Sequence, residues 1–117
     1  MLFRSILAYT SHLPHAVAAA LAGSVPAEWL PLAAGAYRDG TRVAAADTEI
    51  WAAIFRENRG PMLKALGTLQ NCLDAFKYAL MTDDEQAIRA WWEQARSRRI
   101  LFNAESGPSE PPHPHQS

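Results

Sequence analysis

The fold is decided by residues 62–80, MLKALGTLQNCLDAFKYAL. Apolar side chains recur in this segment at intervals of four, three, four, three and four residues. They are Met62, Leu66, Leu69, Leu73, Phe76 and Leu80. This heptad spacing is typical of a helix that packs along a second helix. Leu63, Cys72 and Ala79 widen the apolar stripe, so the segment predicts a long helix used for packing or for dimer formation.

The remaining sequence predicts an all-α fold of about five helices in one domain. The chain has 117 residues, of which 49% are apolar and 20% charged, and it is rich in alanine and poor in β-branched residues. Helical segments are expected at residues 6–21, 26–32, 48–57, 62–80 and 82–101. Residues 33–41 contain two glycines and are predicted to form a loop.

Helix ends and inward faces follow from the same patterns. Asp47 is predicted to cap the helix that follows it, and Thr82 with Glu85 has the spacing of a capping box. The expected inward residues are Ile50, Trp51, Ile54 and Phe55 in one helix, and Ile88, Trp91, Trp92 and Ala95 in another. We expect the helical domain to occupy residues 1–102 and residues 103–117 to be a disordered, proline-rich tail.

Composition excludes several classes of partner. The formal net charge is −1, and the only basic cluster is short, so no nucleic-acid partner is expected. No apolar run is long enough to span a bilayer, and no targeting segment is predicted. Cys72 is the single cysteine, which excludes an intrachain disulfide and suits a cytoplasmic location.

The segment SHLPH at residues 11–15 carries the first candidate binding residues. On a helix, His12 and His15 would share one face beside the hydroxyl of Ser11. Three interpretations are open: two histidines hydrogen-bonded to backbone carbonyls, a metal site, or contact with a substrate. A zinc site needs three or four ligands, and the remaining histidines lie in the predicted tail, so we predict no metal.

Arg42 is either a surface charge or a clamp for an anion, since its guanidinium matches a carboxylate with two parallel hydrogen bonds. Asp39 and Arg38 lie close enough in sequence to pair with each other. Trp51 is more typical of a core residue than of a ligand platform. The chain has no Gly-x-Gly-x-x-Gly and no Gly-x-Ser-x-Gly motif, so neither a dinucleotide site nor an activated serine is predicted in it.

Four segments together resemble the C-terminal helical domain of prephenate and arogenate dehydrogenases. They are residues 10–15 (TSHLPH), 35–42 (GAYRDGTR), 47–51 (DTEIW) and 57–59 (ENR). The resemblance covers residues 7–101. It implies an all-α dimerisation domain like the C-terminal domain of 6-phosphogluconate dehydrogenase. It also implies a homodimer that completes a pocket for prephenate or arogenate, with tyrosine as a possible inhibitor.

The resemblance also implies residue roles. Ser11, His12 and His15 would line the substrate pocket, Arg42 would bind a substrate carboxylate, Asp39 would position the Arg42 loop, and Trp51 would back the pocket. Such enzymes oxidise and decarboxylate their substrate with NAD or NADP. The cofactor and the proton-accepting histidine belong to an N-terminal domain absent from this chain, so no catalytic or cofactor-binding residue is expected here.

The sequence departs from the family at several points. Gly35-Ala36-Tyr37 replaces two glycines and a phenylalanine, and Gly40 stands where phenylalanine is usual. The chain is therefore expected to be the substrate-binding and dimerisation part of such an enzyme, inactive by itself, with Met1 either a true start or a truncation. The alternatives are a stand-alone dimeric module that binds an aromatic acid or docks a Rossmann subunit, and a helical metal-binding protein.

Overall fold

A computed structural model describes the chain from residue 2 to residue 106. These residues form six α-helices, one π-helical segment and two 3₁₀ helices, with no β-strand among them. The α-helices are α1 (Leu2–Leu7), α2 (Leu13–Ser24), α3 (Gly35–Thr41), α4 (Thr48–Glu57), α5 (Arg59–Met81) and α6 (Glu85–Ser106). The π-helical segment is Ala8–His12, and the 3₁₀ helices are Ala27–Leu32 and Arg42–Ala45. The all-α prediction is confirmed, with six α-helices in place of about five.

The first two α-helices are continuous through the π-helical segment. The N–H of Leu13 bonds to the carbonyl of Ala8, five residues earlier, so the backbone ladder shifts its register there. Pro14 lies in the first turn of α2. A proline in a helix removes a backbone donor and crowds the carbonyl four residues before it. The wider π turn ends at His12, two residues before Pro14, and accommodates the lost donor and the crowded carbonyl.

The loop predicted for residues 33–41 is wrong, because Gly35–Thr41 is helical and the 3₁₀ helix Arg42–Ala45 follows it. Glycine disfavours a helix by about 1 kcal/mol relative to alanine, which is why the sequence pattern indicated a loop. Gly40 has a packing reason instead. A Cβ built at Gly40 would lie 3.3 Å from Cδ2 of Leu21 in α2, so the missing side chain permits the close approach.

Helix α4 begins as predicted. The carboxylate of Asp47 accepts a hydrogen bond from the backbone N–H of Ile50 at 2.9 Å. Trp51, Ile54 and Phe55 are half-buried, whereas Ile50 is 59% exposed, so its predicted burial is not found in this chain.

Helix α5 ends in a Schellman motif. Asp83 has a left-handed φ of 49°, and the N–H of Asp84 bonds to the carbonyl of Ala79 at 2.9 Å. The hydroxyl of Thr82 donates back to the carbonyl of Tyr78. Thr82 therefore belongs to the end of α5, and the predicted capping box is wrong. Asp84 caps α6 instead, because its Oδ1 accepts from the N–H of Ala87 at 3.0 Å.

The described residues divide into two compact units, one ending at Gln70 and the other beginning at Asn71. The first unit buries a few small apolar side chains, Met62, and two polar residues. The apolar ones are Ala8, Ala18, Met62 and Ala65, and the polar ones are His12 and Asn58. In the second unit Phe76 stacks on Trp91 with ring centroids 4.5 Å apart, and Trp91 Nε1 donates to the carbonyl of Cys72.

The inward face predicted for α6 is only partly found. Ile88 and Trp91 are half-buried, whereas Trp92 is 65% exposed and Ala95 is exposed too. Helix α6 continues to Ser106, so it includes the first four residues of the segment expected to be a disordered tail. The rest of that segment lies outside the described residues.

Many large apolar side chains of α5 and α6 are exposed. They are Leu63, Leu73, Tyr78, Leu80, Met81, Trp92, Ile100, Leu101 and Phe102. Exposed apolar surface of this extent is typical of contact with another polypeptide. Between residues 2 and 106, none of the helices is both long and apolar enough to cross a bilayer.

Candidate functional site

The centre of the candidate site is an aromatic pair between α2 and α4. The imidazole of His15 lies on the indole of Trp51 with centroids 3.6 Å apart and planes inclined by 15°. His15 Nδ1 lies 2.9 Å from the backbone carbonyl of Ser11, one turn earlier in the same helix. The hydrogen bond to the Ser11 carbonyl and the stack on Trp51 together hold the imidazole of His15 in one orientation.

A cleft of about 290 Å³ lies beside this pair. It is lined by His15, Ala19, Val43, Ala44, Ala46, Asp47, Thr48, Trp51, Ala52 and Phe55. Most of this lining is apolar, and the aromatic side chains make it suitable for a planar ring. Trp51 is half-buried, so it serves both as a packing residue of α4 and as a wall of the cleft.

His12 contacts the same indole from a different direction. Its ring meets Trp51 edge-on, with centroids 6.0 Å apart and planes inclined by 82°. The two histidines thus share one aromatic neighbour, as residues on one helical face should. His12 is 9% exposed, and its Nδ1 lies 3.2 Å from Nδ2 of Asn58. It lines a second cleft, of about 270 Å³, together with Arg4 and Asn58.

Arg42 lies on the other side of a single 3₁₀ turn from the His15 cleft. Its cleft has a volume of about 470 Å³. It is lined by Leu30, Ala33, Ala34, Tyr37, Arg38, Thr41, Arg42 and Ala45. Arg42 is exposed and forms no ion pair with any residue between 2 and 106. A guanidinium without a protein partner is available to bind an anion.

The structure brings some predicted site residues together and separates others. Within one chain His12, His15 and Trp51 are in contact, and Ser11 joins them through its carbonyl. Arg42 is not among the lining residues of the His15 cleft. Asp39 is exposed and belongs to neither set of lining residues. Arg42 is linked to the site through Val43 and Ala44, its neighbours in the 3₁₀ helix.

Metal ligation finds no supporting geometry in the described part of the chain. No cluster of three or more histidine, cysteine, aspartate or glutamate side chains occurs among residues 2–106. His113 and His115, the other two histidines, lie outside those residues. Nδ1 of both His12 and His15 is already hydrogen-bonded within the chain.

Asn58 is the site residue that sequence reasoning missed. It is 5% exposed and donates from Nδ2 to the carbonyl of Arg4 at 2.9 Å as well as contacting His12. The available signal was its place in the segment ENR at residues 57–59. In the sequence it resembles an ordinary polar residue at a helix break, because its partners lie 46 and 54 positions away.

This arrangement offers an aromatic face, two imidazoles with defined hydrogen bonds, and a nearby guanidinium that has no ion-pair partner from residue 2 to residue 106. Such groups suit a ligand that combines a ring with a carboxylate. The described residues include no nucleophile with an adjacent base, so the arrangement serves binding better than covalent chemistry.

The chain is similar in sequence and in fold to known proteins. The family model described as prephenate dehydrogenase, dimerization domain, matches residues 4–94. A cyclohexadienyl dehydrogenase from Zymomonas mobilis is 29% identical over 107 residues, which are 86% of this chain and 36% of that protein.

Two solved structures have the same fold. A protein from Corynebacterium glutamicum described as a prephenate dehydrogenase aligns with a TM-score of 0.80 and 35% identity, over 97% of this chain and 37% of that one. Prephenate dehydrogenase from A. aeolicus, in complex with hydroxyphenyl propionate and NAD+, aligns with a TM-score of 0.79 and 28% identity, over 87% of this chain and 38% of that one. The chain therefore spans little more than a third of these relatives.

Proposed function

We propose that this chain, which belongs to the family of prephenate dehydrogenase dimerization domains, supplies one wall of the substrate pocket and the dimer interface of such an enzyme. The reaction would be the NAD(P)-dependent oxidative decarboxylation of prephenate or arogenate. The observation that carries the proposal is the stack of His15 on Trp51 beside an apolar cleft. A planar ring is the part of the substrate that such a surface recognises best.

Residue roles follow from the chemistry of each group. His15 and Trp51 would contact the ring, and His12 would bind a polar group of the substrate from the second cleft, which it lines. Ser11 would act mainly through its carbonyl, which orients His15. Arg42 would bind a carboxylate from the adjacent cleft, across the turn Arg42–Ala45, because it is exposed and has no anionic partner among residues 2–106.

Asp39 has the least direct role in this proposal. It lies in α3, three residues before Arg42, and its side chain is exposed. We propose that it positions the segment that carries Arg42, and not that it contacts the ligand.

The cofactor, NAD or NADP, would be bound by a nucleotide-binding domain outside this chain. No Gly-rich phosphate-binding motif occurs in the sequence, and all the described elements are helices. When bound, the nicotinamide accepts the hydride removed from the substrate. The task left to this chain is to hold and orient the ring and its carboxylates against that acceptor.

A homodimer would cover the exposed apolar side chains of α5 and α6. Leu73 and Leu80 belong to the heptad stripe, yet they are 50% and 54% exposed in the single chain. A helix with a heptad stripe packs best along another helix, and a second copy supplies one.

We also propose tyrosine as an inhibitor and the cytoplasm as the location. Tyrosine combines a phenol ring with a carboxylate, so it could occupy the same cleft. The free and exposed thiol of Cys72 supports a reducing compartment.

The proposal is tested by grafting this chain onto the nucleotide-binding domain of the Zymomonas enzyme. We expect prephenate-dependent reduction of the nicotinamide cofactor, and binding of hydroxyphenyl propionate to the isolated chain or to the graft. A folded graft that binds NAD+ but neither binds nor oxidises prephenate would overturn the proposal. Binding without turnover would favour a stand-alone module for aromatic acids, because the His15 cleft is built entirely from this chain.

A further inference from the structure

Asn58 links the N-terminal helix to the buried histidine. It lies between α4 and α5, where it is the C-cap of α4 with φ −116° and ψ 33°. Its Nδ2 donates to the carbonyl of Arg4 at 2.9 Å and lies 3.2 Å from Nδ1 of His12. The side-chain amide of Asn58 thus connects the backbone carbonyl of Arg4 to the imidazole of His12.

The Arg4 carbonyl determines which way the Asn58 amide points. A carbonyl oxygen can only accept a hydrogen bond, so it must face the NH₂ group. The reverse orientation would place Asn58 Oδ1 2.9 Å from the Arg4 oxygen, two acceptors with no proton between them. The side chain instead leaves Oδ1 buried without a donor among the described residues. An unpaired buried acceptor costs about 1–3 kcal/mol, so the two bonds made by Nδ2 outweigh that cost.

The orientation of the amide in turn determines the tautomer of His12. An NH₂ group has no acceptor capacity, so His12 Nδ1 must accept the hydrogen bond. The neutral ring then carries its proton on Nε2, the nitrogen on the edge turned away from Asn58. The edge-on contact with Trp51 holds the plane of the ring.

His15 has the opposite arrangement. Its Nδ1 faces the carbonyl of Ser11 at 2.9 Å. Since that carbonyl can only accept, Nδ1 of His15 carries the proton, and Nε2 of the neutral ring is left as an acceptor. The two imidazoles that contact the same indole therefore differ at Nε2. His12 offers an N–H donor there, and His15 offers a nitrogen without a proton.

We propose that Asn58 is a positioning residue, which uses the Arg4 carbonyl to hold His12 as an Nε2–H donor opposite in polarity to His15. His12 then offers its Nε2–H to an oxygen acceptor of the ligand, and His15 offers its bare Nε2 to a proton donor, each from the cleft that it lines. The contact of these groups with a ligand rests on the proposed function, whereas the tautomers of His12 and His15 do not.

The tautomers are read directly by ¹⁵N NMR of the full chain labelled in histidine, at about pH 8.5, where free imidazole is neutral. A protonated and a bare ring nitrogen differ widely in ¹⁵N shift. Signals are assigned with H12Q, H15Q and the double variant H113Q/H115Q. We expect the proton on Nε2 of His12 and on Nδ1 of His15. A wild-type His12 with its proton on Nδ1 overturns the proposal without any variant of Asn58.

The link is then tested with Asn58→Asp. A carboxylate accepts only, so we expect the His12 proton to move to Nδ1 while the His15 signals stay unchanged. Asn71→Asp makes the same change at an exposed position and should move neither histidine. Should Asn58→Asp fail to fold, Asn58→Ala removes the donor without adding a charge, and His12 should then populate both tautomers. A folded variant in which His12 keeps its wild-type tautomer overturns the proposal.

Selection of the ligand is measured separately, with hydroxyphenyl propionate and with phenylpropionate, which lacks the hydroxyl. We expect wild type to prefer the hydroxylated acid about tenfold, because only its hydroxyl can donate to Nε2 of His15. We expect Asn58→Ala to weaken both acids by a similar factor, because the oxygen acceptor that His12 would bind is common to both. Correct tautomers without binding of either acid would overturn the proposed function and leave the role of Asn58 intact. Affinities for both acids that are the same in Asn58→Ala and in wild type would overturn the role of His12 as a donor to the ligand.

Discussion

The imidazole of His15 lies flat on the indole of Trp51, 3.6 Å between centroids and 15° between planes. The contact joins the helix that carries the SHLPH segment to α4, the helix that Asp47 caps. It therefore has two effects: it holds α2 against α4, and it presents an aromatic surface to the cleft beside them. Variants of these two residues should show how much the contact contributes to the stability of the fold and how much to ligand binding.

Trp51→Leu should weaken both properties. An aromatic pair contributes about 0.5–1.5 kcal/mol beyond the area it buries, and a loss of 1 kcal/mol lowers the melting temperature of a small domain by about 4–8 °C. We expect a drop in this range, and at least a tenfold loss of affinity for hydroxyphenyl propionate. Trp29→Leu is the control, since Trp29 is 58% exposed. Equal effects of the two substitutions would contradict a special role for Trp51.

His15→Gln should affect binding more than folding. Glutamine keeps a polar side chain but loses the stacked ring, so we expect about a tenfold higher dissociation constant for the ligand and a melting temperature within a few degrees of wild type. Calorimetric titration and thermal unfolding measure the two effects. A collapsed unfolding transition would instead support the interpretation of His15 as a purely structural histidine.

Arg42→Ala should raise the KM for prephenate in the grafted enzyme while leaving NAD+ affinity unchanged. Hydrogen bonds to charged groups contribute about 1.5–3 kcal/mol, which corresponds to an increase of roughly 10- to 150-fold. Arg42 is exposed, so folding should not suffer. Arg89→Ala is the matched control, because Arg89 is exposed and pairs with Glu85 in its own helix. A KM equal to wild type would remove Arg42 from the carboxylate site.

Leu73→Asp should convert a dimer to monomers. Leu73 is half-exposed in the single chain, so the substitution spares the chain's own core, whereas a carboxylate in an apolar interface is strongly disfavoured. Sedimentation should show the mass halved. Asn71→Asp introduces the same residue on the opposite side of α5 and should remain dimeric. Dimers that persist with Leu73→Asp would place the interface elsewhere.

Asp84→Ala should destabilise α6, and Thr82→Ala should have a smaller effect. Loss of an N-cap costs about 0.5–2 kcal/mol, and Asp84 is the residue that accepts from the N–H of Ala87. Thermal or denaturant unfolding of the two variants compares them directly. If Thr82→Ala were the more damaging substitution, the capping box expected from the sequence would be the better description.

Local patterns were sufficient where the determining contacts are local. The heptad spacing and the cap at Asp47 predicted α5 and α4, because both depend on residues within a few positions of one another. The same reasoning failed at Gly40 and at Thr82. At Gly40 the absence of a side chain permits a close approach of Leu21. The hydroxyl of Thr82 donates to a carbonyl at the end of α5, so Thr82 does not cap α6.

For the candidate site, the residue types were visible in the sequence but their arrangement was not. The helical spacing of His12 and His15 indicated one shared face, and their resemblance to a known family indicated a substrate pocket. Only the fold shows that both rings contact Trp51, that Arg42 lies beyond a 3₁₀ turn, and that Asn58 contacts His12. These relationships join residues far apart in the chain.

By itself, the sequence determined an all-α chain, its main helices and its family, since helix periodicity, capping and a set of spaced motifs are properties of short segments. The tertiary structure decided which polar atoms meet. A hydrogen bond between Asn58 and His12 requires the junction of α4 and α5 to lie against the π-helical segment at one distance and one orientation. No pattern along the chain encodes that geometry.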